Sequence, residues 1–321
     1  MNAPPRRPER HEATLRRLEL LITMRLDGLL YGDHQGLLLA SGSEPAEARE
    51  YRVGDDVRHM DWNLTARTAV PHVRDTIAER ELEAWLVVDR SASMEFGTAQ
   101  WEKRELALCA VAAFALLNNR QGNRTGAVLL GAAGGDGTRI VPARCGRPAA
   151  LALMSVLAAG NRVFPDAPAA GGSVGGRAAQ PPGRIDLAAG LTAVDRLLRR
   201  RGLVAVISDF LDPGNSAAWP AALRRLGQRH QVVAVEVRDP REDVLPPVGL
   251  LTLVDPETGA RLEVPTNNRK LRDRFQQAAA EQRASVSRSI RAAGARHLVL
   301  STDRDWLLDI VAAVARWKRC P

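Results

Sequence analysis

At 321 residues, with 45% hydrophobic and 26% charged side chains, the chain has the composition of a soluble globular protein and material for one large domain or two modest ones. A formal net charge of +8 and a pI of about 10.3 invite a nucleic-acid reading, but only three of 45 basic residues are lysines and the arginines are dispersed among 37 acids, which reads as coding bias. Three scattered cysteines (Cys109, Cys145, Cys320) make neither a disulfide framework nor a zinc spacing, and the longest apolar run, 106–117, is too short to span a bilayer.

The polar, Arg- and Pro-rich residues 1–11 are not followed by a signal-peptide core, so a cytoplasmic location without membrane insertion is expected. Residues 9–30 then place Leu15, Leu18, Leu21, Ile22 and Leu26 on one helical face, closed by Gly28 and Gly32. Short strands follow at 37–39, 49–53 and 73–77 around the loop Gly54-Asp55-Asp56, with a turn and short helix over 58–67. This N-terminal helix and β-rich extension, residues 1–82, precedes a region of alternating strands and helices, residues 83–321. Such alternation is the signature of α/β architecture with a central, mainly parallel sheet.

In that second region the spacing predicts strands at 83–89, 126–131, 138–142, 203–209, 231–237 and 297–300. Helices are expected over 103–118, 148–158, 186–200, 219–229, 270–293 and 306–317, and Arg199-Arg200-Arg201 would end the third of them, where cations suit the helix dipole. The Ala/Gly/Pro-rich stretch 165–183 reads as a flexible loop, and 249–266 as a hairpin insertion turning at Asp255-Pro256-Glu257-Thr258-Gly259.

The first of these strands ends in Asp89-Arg90-Ser91-Ala92-Ser93. An Asp-x-Ser-x-Ser loop gathers a carboxylate and two hydroxyls at a strand's C-terminal end, where open α/β sheets bind ligands and where such oxygens suit a hard cation like Mg²⁺. Met94 and Phe96 are expected to seat this loop against the next helix, with Arg90 and Glu95 facing solvent. The element order, β-α-β-β-α-α-β-α-β-α-β-α with this loop after its first strand, resembles the von Willebrand factor type A domain, a three-layer, Rossmann-like fold. There the loop is the first part of a metal-ion-dependent adhesion site, and an Asp after the fourth strand is the third. The resemblance therefore implies that Asp89, Ser91, Ser93 and Asp209, in Ile207-Ser208-Asp209-Phe210, share one Mg²⁺. Its second part calls for a Thr where this chain has Ile185, in Gly183-Arg184-Ile185-Asp186-Leu187. Ile offers no oxygen. Asp186 is left as a candidate ligand, directly or through water, and a degenerate site is expected.

A second resemblance covers most of the chain. Arg49-Glu50-Tyr51-Arg52-Val53-Gly54-Asp55-Asp56-Val57-Arg58-His59-Met60-Asp61-Trp62-Asn63, then Thr65-Ala66-Arg67, is similar to the signature of domain-of-unknown-function family 58, and the later Ser208-Asp209-Phe210 and 255–259 fit it too. Such bacterial proteins are typically encoded beside AAA+ ATPases of the MoxR type and act with them in assembly, chaperone-like or metal-insertion roles. A MoxR-type ATPase or another protein client is the partner this implies. Physically, Asp55, Asp56, Arg58, Asp61 and Arg67 read as a charged network around Trp62 that clips the N-terminal strands in place.

Enzyme readings find less support. No Gly-x-x-x-x-Gly-Lys-Ser/Thr occurs, and Gly171-Gly172-Ser173-Val174-Gly175 matches a nucleophile elbow without the strand and helix that would frame one. The six histidines (11, 34, 59, 72, 230, 297) form no metal-binding helix pattern. Phosphoryl acceptance by Asp89 is disfavoured by the neighbouring hydroxyls. The expectation is a non-enzymatic interaction protein whose strand-end loops, with or without Mg²⁺, take up a partner's acidic side chain. Its rivals are a metal-assisted hydrolase using Asp89 and Asp209, and a nucleic-acid-binding protein whose affinity falls steeply with salt.

Overall fold

The computed structural model describes residues 48–52, 57, 60–74, 83–120, 123–131, 137–159, 185–211, 218–255 and 260–319. The helix expected over 9–30, the strand at 37–39, the Gly54-Asp55-Asp56 loop, Arg58, the loop at 165–183 and the hairpin turn at 256–259 lie outside them.

Strand β1 (Ala48–Glu50) pairs antiparallel with β2 (His72–Arg74), and helix α1 (Trp62–Thr68) lies between them in the chain. Asp61 starts α1 by accepting from Leu64 N at 3.1 Å, which satisfies one of the amides left open at a helix N-terminus. Trp62 is 68% exposed, and Asp55, Asp56 and Arg58 of the charged network expected around it lie outside the described residues.

Six strands then form one sheet: β3 (Glu83–Asp89), β4 (Arg124–Leu130), β5 (Thr138–Arg144), β6 (Leu203–Ser208), β7 (Gln231–Arg238) and β10 (Arg296–Ser301), with β8 (Leu250–Val254) and β9 (Arg261–Pro265) making a separate antiparallel hairpin. The spatial order is β10-β7-β6-β3-β4-β5, and every neighbouring pair is parallel except β4 and β5. At the β5 edge Thr125 pairs with Arg144 but Ala127 with Val141, so the extra residue bulges at Pro142-Ala143, opposite Gly126.

Along β3 the side chains alternate between two cores. Ala84, Leu86 and Val88 join helices α2 (Lys103–Arg120), α3 (Arg147–Ala159) and α7 (Trp306–Arg319) on one face. Trp85 and Val87 join α4 (Leu187–Leu197), α5 (Ala218–Arg229) and α6 (Arg269–Ala292) on the other. The architecture is a mixed α/β arrangement of helices, sheet and helices. Helix α2 is buried over almost its whole girth from Leu106 to Leu116, which explains why its sequence, Leu106-Ala107-Leu108-Cys109-Ala110-Val111, shows no polar stripe. Among the described residues no helix is long and apolar enough to cross a membrane.

Two local expectations need correction. Helix α4 ends at Leu197, because the fully buried Leu198 turns inward and donates its N–H to Val194 O. Arg199-Arg200-Arg201 therefore lies just beyond the helix, before β6, rather than in its last turn. Phe96 is 41% exposed, while Met94 alone enters the core, so only one of the two seats the loop.

Helices α5 and α6 meet closely at Gly227, where an added Cβ would lie 2.1 Å from Ala293 O. Helix propensity alone favours Gly227→Ala by about 1 kcal/mol. The clash with a backbone carbonyl reverses the sign, and a net loss of about 1–3 kcal/mol is expected. A thermal melt decides; an unchanged or raised Tm would show that the two helices can separate freely.

Candidate functional site

The chain runs from β3 outward to β4, then returns to lay β6 against the other side of β3. The C-terminal ends of β3 and β6 therefore flank the point where strand order reverses, and crevices at such points are where open α/β sheets bind ligands. Asp89 closes β3 and Asp209 follows β6 directly. Parallel pairing holds Val88 opposite Ile207, so the two acids leave the sheet side by side.

The hydroxyls join them. Ser91 N and Ser91 Oγ both donate to Asp89 Oδ1, at 2.8 and 2.7 Å, and Ser208 Oγ donates to Asp89 Oδ2 at 2.6 Å. Ser93 Oγ donates to Asp209 Oδ2 at 2.7 Å, and Leu211 N donates to Asp209 Oδ1 at 3.0 Å. Ser91 Oγ and Ser93 Oγ stand 2.8 Å apart, completing a chain from one carboxylate to the other. Asp89, Ser91 and Asp209 are buried; Ser93 is half-buried.

Local backbone devices make this convergence. Arg90 N donates to Leu130 O at 3.0 Å, drawing the loop over the end of β4. Gly131, at φ 78°, permits that approach, because a Cβ there would meet Arg90 O at 2.8 Å. Phe210 adopts φ 57°, a left-handed conformation unusual for a residue with a side chain. Its N–H donates to Ser208 Oγ at 2.9 Å and its ring packs on Trp219 at a centroid distance of 5.1 Å, holding the turn that aims Leu211 N at Asp209.

A residue that sequence reasoning passed over completes the site. Lys103, the first residue of α2, is fully buried, and its Nζ lies 2.8 Å from Asp209 Oδ2 and 2.5 Å from Glu242 Oε1. Burial alone would lower the lysine's pKa, but the charges of Asp209 and Glu242 outweigh it and hold it above the ordinary value. Asp89 behaves oppositely: burial, then the charge of Asp209, push its carboxyl up to about 6 despite three hydrogen bonds. One signal for Lys103 was present, since this chain carries only three lysines among 45 basic residues. A compact ammonium at that position is a choice against the prevailing arginine.

The structure joins Asp89, Ser91, Ser93 and Asp209 by hydrogen bonds, and Asp186 is no part of that chain. Asp186 is exposed and is the N-cap of α4, its Oδ1 accepting from Ala189 N at 2.9 Å. None of the hydrogen bonds that build the cluster reaches it. Ile185, at the position expected for Thr, packs against the core on the α4 side of the sheet. Arg90 is half-buried rather than solvated. Among the described residues no three His, Cys, Asp or Glu side chains gather in metal-holding geometry, so any cation here would rely on hydroxyls.

The hydroxyl geometry suits one. The two serine oxygens stand 2.8 Å apart, and either can donate to the other. That spacing is close to the edge of about 3 Å expected for neighbouring oxygens around octahedral Mg²⁺ at about 2.1 Å. Ser91 and Ser93 fit as direct ligands, with Asp89 and Asp209 as the acceptors that orient them. Thiol chemistry is not on offer nearby: burial, then Glu105, push the Cys109 thiol up to about 12.

A family profile described as "Protein of unknown function DUF58" matches residues 47–285. Uncharacterized proteins of Mycobacterium bovis and of Mycobacterium tuberculosis (strain H37Rv) are each 49% identical over 307 residues, covering 96% of this chain and 90% of the relative. Among solved structures, BatB, a conserved hypothetical protein from Bacteroides thetaiotaomicron, aligns at a TM-score of 0.41 with 13% identity, over 74% of this chain and 99% of that one. An aerotolerance-related membrane protein from Bacteroides fragilis aligns at 0.42 with 14% identity, over 74% of this chain and 97% of that one.

Proposed function

Since the chain belongs to the family of protein of unknown function DUF58, we propose that it is a non-enzymatic interaction module of the von Willebrand A type. Its strand-end rim docks an acidic group of a partner protein, and a MoxR-type AAA+ ATPase is the partner that the family's signature implies. The observation that carries this reading is the bonded chain Asp89–Ser91–Ser93–Asp209 at the strand-order reversal. Ser91 and Ser93 would hold Mg²⁺, and Asp89 and Asp209 would fix their hydroxyls. Bound there, the ion supplies the positive charge through which a partner carboxylate attaches.

The chain's own residues do the remaining work. With an ion bound, the Asp89 and Asp209 carboxylates would take up both hydroxyl hydrogens, so the serine lone pairs would be presented to it. Burial of Asp89, Ser91 and Asp209 restricts access to the side of the half-buried Ser93. Ala92 and Glu95, in the single 3₁₀ turn that follows Ser91, flank that opening and bear on partner choice.

The test uses the full-length chain immobilised against a purified MoxR-type ATPase, in Mg²⁺ or EDTA, with wild type and Ser93→Ala. Ser93 is chosen because its half-exposed side chain can be shortened with little effect on folding. Binding in Mg²⁺ that weakens about tenfold or more on chelation and on Ser93→Ala is expected, since each removes a link between cation and partner. Binding indifferent to both would move the contact off this rim.

A further inference from the structure

We propose that Lys103 sets the divalent-ion affinity of the strand-end rim, acting as a built-in counter-cation that keeps this affinity low until a partner's carboxylate arrives. The inference rests on the reading of Ser91 and Ser93 as the ion's ligands and goes beyond it. Lys103 Nζ and Ser93 Oγ bond the same atom, Asp209 Oδ2, at 2.8 and 2.7 Å. The ammonium is therefore no more than two hydrogen-bond lengths from one of the two hydroxyls that hold the ion. It is fully buried and held by two carboxylates, Asp209 at 2.8 Å and Glu242 at 2.5 Å. Moving aside when an ion enters would break both of these buried bonds.

Two consequences follow from electrostatics. Without an ion, the ammonium neutralises Asp209, so the rim stays assembled whether or not a cation is bound. With an ion, a fixed positive charge opposes it at short range in a poorly solvated site, which weakens binding by about tenfold or more. A partner carboxylate adds a negative charge at the same place and offsets that repulsion. Ion and partner then bind together, each raising the other's affinity by the same factor.

Lysine suits this role where arginine would not. An ammonium is compact and can serve Asp209 and Glu242 from one nitrogen, whereas a planar guanidinium would need the space held by one of its acceptors.

The experiment titrates the full chain with Mn²⁺ as the probe, following loss of the free-ion signal by electron paramagnetic resonance, for wild type and Lys103→Met. The variant is expected to bind one Mn²⁺ at least about tenfold more tightly than wild type. Mn²⁺ should raise the variant's Tm more than that of wild type, and Ser93→Ala in the Lys103→Met background should abolish the gained affinity. Should Lys103→Met fail to fold, Lys103→Gln, whose amide still donates to one carboxylate, is titrated in its place with the same expectation. Equal or weaker Mn²⁺ binding by the folded variant, or no binding by either protein, overturns the proposal. Failure of partner docking with the Mn²⁺ shift intact would instead discard only the docking partner, so the two failures are distinguishable.

Discussion

Asp239→Ala is expected to lower the free energy of unfolding by about 2–3 kcal/mol, because it leaves four donors, the fully buried Thr302 hydroxyl among them, without their charged acceptor. Asp239 is 0% exposed and sits where β7 ends. Its Oδ2 accepts from Thr98 N and Thr302 Oγ1, each at 2.7 Å, and its Oδ1 from Thr98 Oγ1 at 2.6 Å and Arg241 N at 2.8 Å. One carboxylate thus ties the loop after β3 to the ends of β7 and β10. Thr302 extends the tie, since its carbonyl accepts from Gln100 N and Trp101 N. Glu242 continues it on the other side, with Oε2 accepting from Asp239 N while Oε1 holds Lys103. Asp239→Asn keeps the shape but turns an N–H₂ toward one pair of donors, and about half the loss is expected. Urea unfolding with an unchanged m-value is the measurement. A loss below about 1 kcal/mol would show that water replaces the carboxylate at little cost.

Glu236→Gln is expected to cost about 2–3 kcal/mol at neutral pH, with a difference that closes in acid. Glu236 lies within β7 at 1% exposure, and Arg238 grips it with Nε at 2.6 Å and Nη2 at 2.7 Å. His297 Nε2 from β10 lies 2.7 Å away, and Arg283 from α6 lies at 3.5 Å. Burial alone would raise this carboxyl, but the bonds from His297 and Arg238 outweigh it and hold it below the ordinary value. A depressed folded pKa means that the charged form stabilises the fold above the ordinary carboxylate range. That contribution is lost as pH falls through the folded value. The gap between wild type and Glu236→Gln should therefore be full at pH 7 and shrink below about pH 4. Asp239, also held below its ordinary value by Thr98 and Thr302 against the effect of burial, steepens the same acid limb of wild-type stability. A gap that widened in acid would reverse the assignment.

The sheet was legible because its strands are buried on both faces and read as continuous apolar runs, such as Leu203-Val204-Ala205-Val206-Ile207. Asp89 and Asp209 stood out for the same reason: an acid that ends such a run lies at the rim. Their convergence needed the spatial order of β3 and β6, which strand sequence alone does not specify. Asp186, singled out because it neighbours the position expected for Thr, also supplies the capping acceptor that the first turn of α4 needs. Lys103 was the opposite case. At the start of a helix a lysine normally faces water, and only contacts 106 and 139 residues away, to Asp209 and Glu242, draw this one inside. Trp62, large and apolar, suggested a packed centre and lies open instead, which local sequence does not reveal.

The bulged final strand has a consequence for how the molecule keeps to itself. A sheet of this kind presents unpaired amides at its flank and can recruit a neighbouring chain by templated hydrogen bonding. Pro142, lacking an amide hydrogen, and the extra residue beside it interrupt the regular ladder of β5 where a stranger would have to align. The imino acid thus works against edgewise self-assembly, independent of whatever the rim at the strand ends recognises.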